Sequence, residues 1–156
     1  RFAQVFGMRV IAWSENLTPE RAAESGVNWV SKRELFEQAD ILTIHLVLSE
    51  RSRGLVDAQA LGWMKPSARL VNTARGPIVD EQALVQALRS GRLAGAALDV
   101  YAEEPLPADH PFRSLPTVLA TPHVGYVSEQ NYRQFYQQMI DDIQAWASGV
   151  PIRGLS

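Results

Sequence analysis

The sequence predicts a doubly wound α/β fold around a mostly parallel sheet, and three observations predict it. Short β-branched and apolar runs alternate with helix-patterned stretches along the chain, which is the pattern of successive βα units. Most of the helix-patterned stretches open on a capping residue, and several close on glycine. Finally, Arg75, Glu104 and His123 each follow a predicted strand. In an open parallel sheet, ligands bind outside the carboxyl ends of the strands.

Taken in order, 1–6 reads as the end of a helix, with Phe2 and Phe6 on one face and Gly7 closing it. The run 9–13 has strand content and ends at Ser14. Thr18 and Pro19 open a short helix as N-cap and first helical residue, and Gly26 stops it. A brief strand is expected over 27–30. Ser31 and Glu34 have capping-box spacing, so a helix runs to about Ala39. The stretch 41–48 is the most apolar of the chain, interrupted by Thr43 and His45, and predicts a strand buried on both faces. Asp57 caps the next helix, and Pro66 bars its continuation. Leu70 and Val71 lie in a strand that Gly76-Pro77 ends as a turn. Asp80 caps a helix with Ala83, Leu84, Ala87 and Leu88 on one face, closed by Gly91. The small residues of 94–100 form a strand, 103–116 is a proline-rich loop, and 117–121 is the last strand. Ser128 caps a long helix striped by Tyr132, Phe135, Tyr136, Met139, Ile143 and Trp146, which Gly149 and Pro151 end. Crossovers between parallel strands are right-handed.

Composition narrows the function. The chain has 156 residues, 46% of them hydrophobic, enough for one domain with a core and with no boundary visible inside it. A net charge of −2 gives no reason to expect a nucleic-acid or acidic-membrane partner. Absence of cysteine excludes disulfides and thiolate metal sites, and no metal site is expected. No apolar run reaches bilayer-spanning length and no signal peptide is visible, so a soluble cytoplasmic protein is expected. A chain opening on Arg1 reads as a piece of a longer protein.

Successive parallel strands place their carboxyl ends side by side, so Arg75, Glu104 and His123 can share one crevice. The three types suit hydride transfer on a 2-oxo or 2-hydroxy acid. Arg75 offers a donor fork to the carboxylate and polarises the oxo group. His123 gives the carbonyl oxygen its proton, or removes it in reverse. Glu104 would hold the His123 ring by a hydrogen bond and favour imidazolium. Each residue alone has a plainer reading, as a solvated loop arginine, a solvated loop glutamate or a structural histidine. Their coincidence after three successive strands is what favours chemistry.

Three stretches carry a resemblance. Asn72-Thr73-Ala74-Arg75-Gly76, then the run from Asp99 to Leu106, then Thr121-Pro122-His123-Val124-Gly125, resemble in order and spacing the signatures of the D-isomer-specific 2-hydroxyacid dehydrogenases. The resemblance implies a Rossmann-like NAD(P)-binding domain in which Arg75, Glu104 and His123 are the catalytic set. It implies that Asp99 holds the nicotinamide carboxamide, that Thr73 and Ala74 make backbone contacts to the cofactor, and that Gly125 also lies at the cofactor site. His45 and Val47 fall in a segment similar to the one covering the adenosine side; that segment usually has proline where Val47 stands. For His45, cofactor contact and strand packing are both open.

Two departures from the family pattern bear on the cofactor. Ser14 ends the strand where NAD-using relatives place the aspartate that binds the ribose hydroxyls, which removes a carboxylate that would repel a 2′-phosphate. NAD and NADP therefore both remain candidates. No Gly-x-Gly-x-x-Gly occurs anywhere in the chain. The domain is thus expected to be truncated at its N-terminus, with the first, glycine-loop strand and the substrate domain absent. The strands over 9–13 and 41–48 should then flank an empty slot or a strand from another piece of chain. The implied partners are a small 2-oxo or 2-hydroxy acid and a second copy of the chain, as a homodimer. The alternative is a dinucleotide-sensing, corepressor-like module of the same fold. A formate-oxidising relative usually has glutamine where Glu104 stands.

Overall fold

The computed structural model describes residues 2–150 and 152–153. Arg1 and Pro151, which figure in the sequence reading, lie outside them. The chain divides into two compact units, the first ending at Pro122 and the second starting at His123, a boundary that the sequence does not announce.

In the first unit, helix α1 (Phe2–Val5) ends through Gly7, whose φ of 72° is the left-handed conformation of a helix C-cap. Strand β1 (Ile11–Ala12) pairs in parallel with β2 (Asn28–Trp29) across helix α2 (Pro19–Glu24), which Thr18 caps. Helix α3 (Lys32–Gln38) opens on a complete capping box. The Ser31 hydroxyl and amide both donate to Glu34, holding its carboxyl below the usual range. Strand β3 (Ile41–Ile44) follows, then α4 (Ala58–Trp63) capped by Asp57, β4 (Arg69–Asn72), and α5 (Glu81–Arg89) capped by Asp80. Strands β5 (Gly95–Leu98) and β6 (Val118–Ala120) complete a four-stranded sheet of order β3-β4-β5-β6. Every ladder is parallel, with Ile41 opposite Arg69, Arg69 opposite Gly95, and Ala96 opposite Val118.

The core lies where Leu42, Ile44, Leu70 and Leu98 of the sheet meet Phe36, Leu61 and Leu84 of the helices. A parallel bridge between Val56 and Val79 ties the approaches to α4 and α5. Strand β3 differs from the sequence expectation. It alternates, with Leu42 and Ile44 buried but Ile41 and Thr43 exposed, because only one of its faces meets the core. The strands at 9–13, 27–30 and 41–48 are also shorter than their apolar runs, because each ladder lasts only as long as its paired neighbour.

Among the described residues β1 and β3 form no ladder, and they stand in separate sheets. Between them runs a cleft of about 700 Å³, lined by Val10, Ile11, Phe36, Leu42, Ile44 and Val56 among others. The second unit is built around α6 (Glu129–Ala147), which Ser128 caps and Gly149 closes at a φ of 72°. Its aromatic stripe is exposed, from Tyr132 at 41% to Trp146 at 76%.

Burial separates two leucines that the sequence alone does not. Leu70 is fully buried, whereas Leu119 of β6 is 67% exposed. Urea unfolding of the intact protein should show Leu70→Ala costing about 2–5 kcal/mol and Leu119→Ala within about 0.5 kcal/mol. Equal losses would contradict this assignment of the core.

Candidate functional site at the carboxyl ends of the strands

Asn72 is the last residue of β4 and is buried. Its Oδ1 accepts the Ala74 amide at 3.0 Å, and its Nδ2 donates to the Arg75 carbonyl at 3.0 Å. A buried amide that satisfies one backbone donor and one acceptor fixes the Thr73–Arg75 turn. Arg75 leaves this turn in extended conformation, and its guanidinium donates to the Ala74 carbonyl at 2.6 Å. It is exposed.

A cleft of about 320 Å³ opens there, lined by His45, Leu46, Val47, Leu48, Ala74 and Arg75. Four sequence-predicted residues, His45, Val47, Ala74 and Arg75, therefore share one cavity. His45 is exposed on its wall, with Nε2 and the Thr43 hydroxyl sharing a hydrogen bond of 3.0 Å, so its ring is not packed into the core. The Val47 carbonyl accepts from the Ser52 hydroxyl at 2.7 Å, which steadies the backbone there. Thr73 is exposed in the adjoining turn and is not part of the lining. Ser14 follows β1 and lines neither this cleft nor the one between β1 and β3; its carbonyl accepts the Leu17 amide at 3.2 Å.

Asp99, just beyond β5, is buried, and its Oδ1 accepts from the Thr121 hydroxyl at 2.5 Å. Its amide donates to the Asn72 carbonyl at 3.0 Å, so the β4 and β5 ends are locked together. Next along the chain, the buried Tyr101 hydroxyl donates to the carbonyls of Leu98 at 3.0 Å and Thr121 at 2.9 Å. The Tyr101 amide donates to Glu104 Oε1 at 2.9 Å, which folds the turn that presents Glu104. Gly76 lies directly beneath this turn. A Cβ there would collide with the Tyr101 carbonyl and sit 2.5 Å from the Ala102 nitrogen. The Arg75 turn and the Glu104 turn are thus in backbone contact.

His123 begins the second unit with a left-handed φ of 54°, its ring edge-on to Tyr126 at 6.0 Å. Gly125 sits in the turn closed by the Val127 amide donating to the Val124 carbonyl at 2.8 Å. No group of three or more metal-ligating side chains occurs among the described residues, and no described helix is long and apolar enough to cross a membrane.

Of the residues that the sequence singled out, His45, Val47, Ala74 and Arg75 line this cleft, and the sequence assigned no role to Asn72, Ser52 or Tyr101, which hold its surroundings. Asn72, Ser52 and Tyr101 act through burial and backbone hydrogen bonds. Asn72 and Tyr101 lie within the signature stretches, whereas the only signal at Ser52 is a polar side chain beside an apolar run.

Burial, followed by the nearby Asp99 carboxylate, pushes the Tyr101 phenol up from its ordinary value. A folded state that keeps this proton longer than the unfolded chain contributes stability that is complete below pH about 10. That contribution is lost as pH rises through the folded-state value. Following phenolate absorbance in the intact protein, Tyr101→Phe should remove a late-ionising tyrosine. An unchanged titration curve would contradict the buried, doubly bonded hydroxyl.

Residues 1–125 match the family described as "D-isomer specific 2-hydroxyacid dehydrogenase, NAD binding domain". The chain is 40% identical over 150 residues to a D-3-phosphoglycerate dehydrogenase of Bacillus subtilis (strain 168), covering 96% of this chain and 28% of that protein. It is 40% identical over 146 residues to a glyoxylate reductase of Aeropyrum pernix, covering 94% of this chain and 44% of that one. A crystal structure described as a putative D-3-phosphoglycerate dehydrogenase from Ralstonia solanacearum superposes with a TM-score of 0.89 at 36% identity, covering 95% of this chain and 44% of that one. The chain thus spans less than half the length of these relatives.

Proposed function

Because the chain belongs to the D-isomer specific 2-hydroxyacid dehydrogenases, as their NAD-binding domain, we propose that the protein transfers hydride between NAD(P)H and a small 2-oxo or 2-hydroxy acid of D configuration. The observation that carries this reading is the position of Arg75. It shares a strand-end cleft with His45, Val47 and Ala74, which are proposed cofactor contacts. The cleft suits one ring system of a dinucleotide, with Leu46, Val47 and Leu48 as an apolar wall and Ala74 leaving the backbone approachable.

In this reading Arg75 grips the substrate carboxylate with two parallel N–H bonds and draws charge from the oxo group. His123 delivers a proton to the carbonyl oxygen during reduction and takes one from the hydroxyl during oxidation. Glu104 holds the His123 ring in the working orientation and charge state. Thr73 and Ala74 offer backbone contacts to the cofactor, Asp99 takes the carboxamide, and Ser14 and Gly125 complete its surroundings. NAD(P)H, when bound, supplies the hydride. The chain has no Gly-x-Gly-x-x-Gly turn for the pyrophosphate. We assign that turn to a strand of polypeptide seated in the cleft between β1 and β3. The resemblance extends the proposal to a cytoplasmic homodimer.

A lysine is a point charge and cannot reproduce the planar fork. Arg75→Lys should therefore lower kcat/KM of the intact enzyme for glyoxylate or hydroxypyruvate by about 30-fold or more, the equivalent of roughly 2 kcal/mol or above. A loss of only a few-fold would remove Arg75 from the site.

Ser14 gives the cofactor test. The intact protein should use NADPH at least as well as NADH. Ser14→Asp should depress kcat/KM for NADPH by roughly tenfold or more, about one 1.4 kcal/mol contact, while sparing NADH. A strong preference for NADH in the parent would make Ser14 a simple turn residue.

A further inference from the structure

Glu81 stands at the first position of α5, where an acidic side chain ordinarily answers the positive end of the helix. Here it does something more specific. Its side chain is only 19% exposed and turns away from its own helix, so that Oε1 accepts the Ala102 amide at 2.7 Å. Its Oε2 lies 3.7 Å from Nε2 of His110, whose side chain is 20% exposed. The Phe112 amide donates to the other ring nitrogen of His110, Nδ1, at 3.3 Å, so the neutral ring carries its proton on Nε2, towards Glu81. The His110 ring also packs on the buried Phe112, with centroids 4.7 Å apart.

Two consecutive amides are therefore taken by two different carboxylates. Tyr101 donates to Glu104 from within the turn, and Ala102 donates to Glu81 from outside it. The first bond shapes the turn, and the second anchors it to α5. Gly76 beneath the turn leaves no slack on the other side. Farther along, Arg113 donates to the carbonyls of Leu106 and Pro107 and closes the loop onto itself. Of these contacts, the one from Glu81 alone joins the Glu104 turn to a helix by a charged group, and charge-assisted hydrogen bonds are the strong ones.

We propose that Glu81, docked by His110, is a positioning residue for the hydride-transfer site: it holds the 101–104 turn, and through it sets where the Glu104 carboxylate stands. The proposal rests on the function argued above. The experiment is a double-mutant cycle on the intact protein with glyoxylate or hydroxypyruvate and NAD(P)H. Glu81→Ala should lower kcat by about tenfold or more in the parent, with KM for the dinucleotide within about twofold, yet by less than about threefold in a Glu104→Gln background, because residues acting through one another do not add. Glu81→Gln, which keeps an acceptor for the Ala102 amide, should restore kcat to within about threefold of the parent. His110→Ala should show a smaller loss that likewise shrinks in the Glu104→Gln background, and it serves if Glu81→Ala does not fold. Losses that multiply fully in the two backgrounds, or a Glu81→Ala enzyme within twofold of the parent, would overturn the proposal while leaving the dehydrogenase reading intact. A parent protein that reduces no 2-oxo acid would overturn the dehydrogenase reading itself, and the positioning role with it.

Discussion

The bonds of the buried Asn72 amide at the end of β4 are the constraint on which the first unit's strand-end architecture depends. A chain leaving a parallel strand abandons its ladder and must satisfy its amides and carbonyls elsewhere. Asn72 does this for both the donor of Ala74 and the acceptor of Arg75. The turn is therefore rigid without being helical, and Arg75 emerges from it extended and exposed. Had the turn been satisfied by water, the arginine would have been held less firmly, and the bidentate grip proposed for it would have had to be organised anew at each binding event.

From that turn the constraint passes by backbone contact. Gly76 has no side chain, so the Tyr101–Ala102 peptide rests on it. Tyr101 then closes β5 and β6 with one hydroxyl. This explains why the residues supporting the site are buried and polar, while those facing the cleft are exposed or half-buried. A buried polar group left unpaired is costly, so each of these side chains is bound to one geometry.

The cleft between β1 and β3 has a different character. Its lining is largely apolar, and it separates two parallel sheets whose strands run on either side of it. The strand-end cleft is smaller, adds Arg75 to its wall, and shares His45 with the larger one. The exposure of Ile41 and Thr43, against the burial of Leu42 and Ile44, shows a strand packed on one face only. An apolar run by itself does not tell whether one face or both will be covered, because that depends on other segments.

What the sequence determined by itself was local and periodic. The N-caps at Thr18, Ser31, Asp57, Asp80 and Ser128 each accept the amide three residues on, because a cap needs only its own next three residues. The order of strands and helices was equally legible, since each βα unit is punctuated within itself. The motif residues His45, Val47, Ala74 and Arg75 were legible too, and they come together at one cleft. Tertiary structure alone decided the rest. It placed Ser14 outside that cleft, left the α6 stripe exposed, and divided the chain at His123. It also turned Glu81 from a helix-end acid into the acceptor of an amide 21 residues away. No spacing rule reaches that far, because such a contact exists only once the sheet has carried the two segments together.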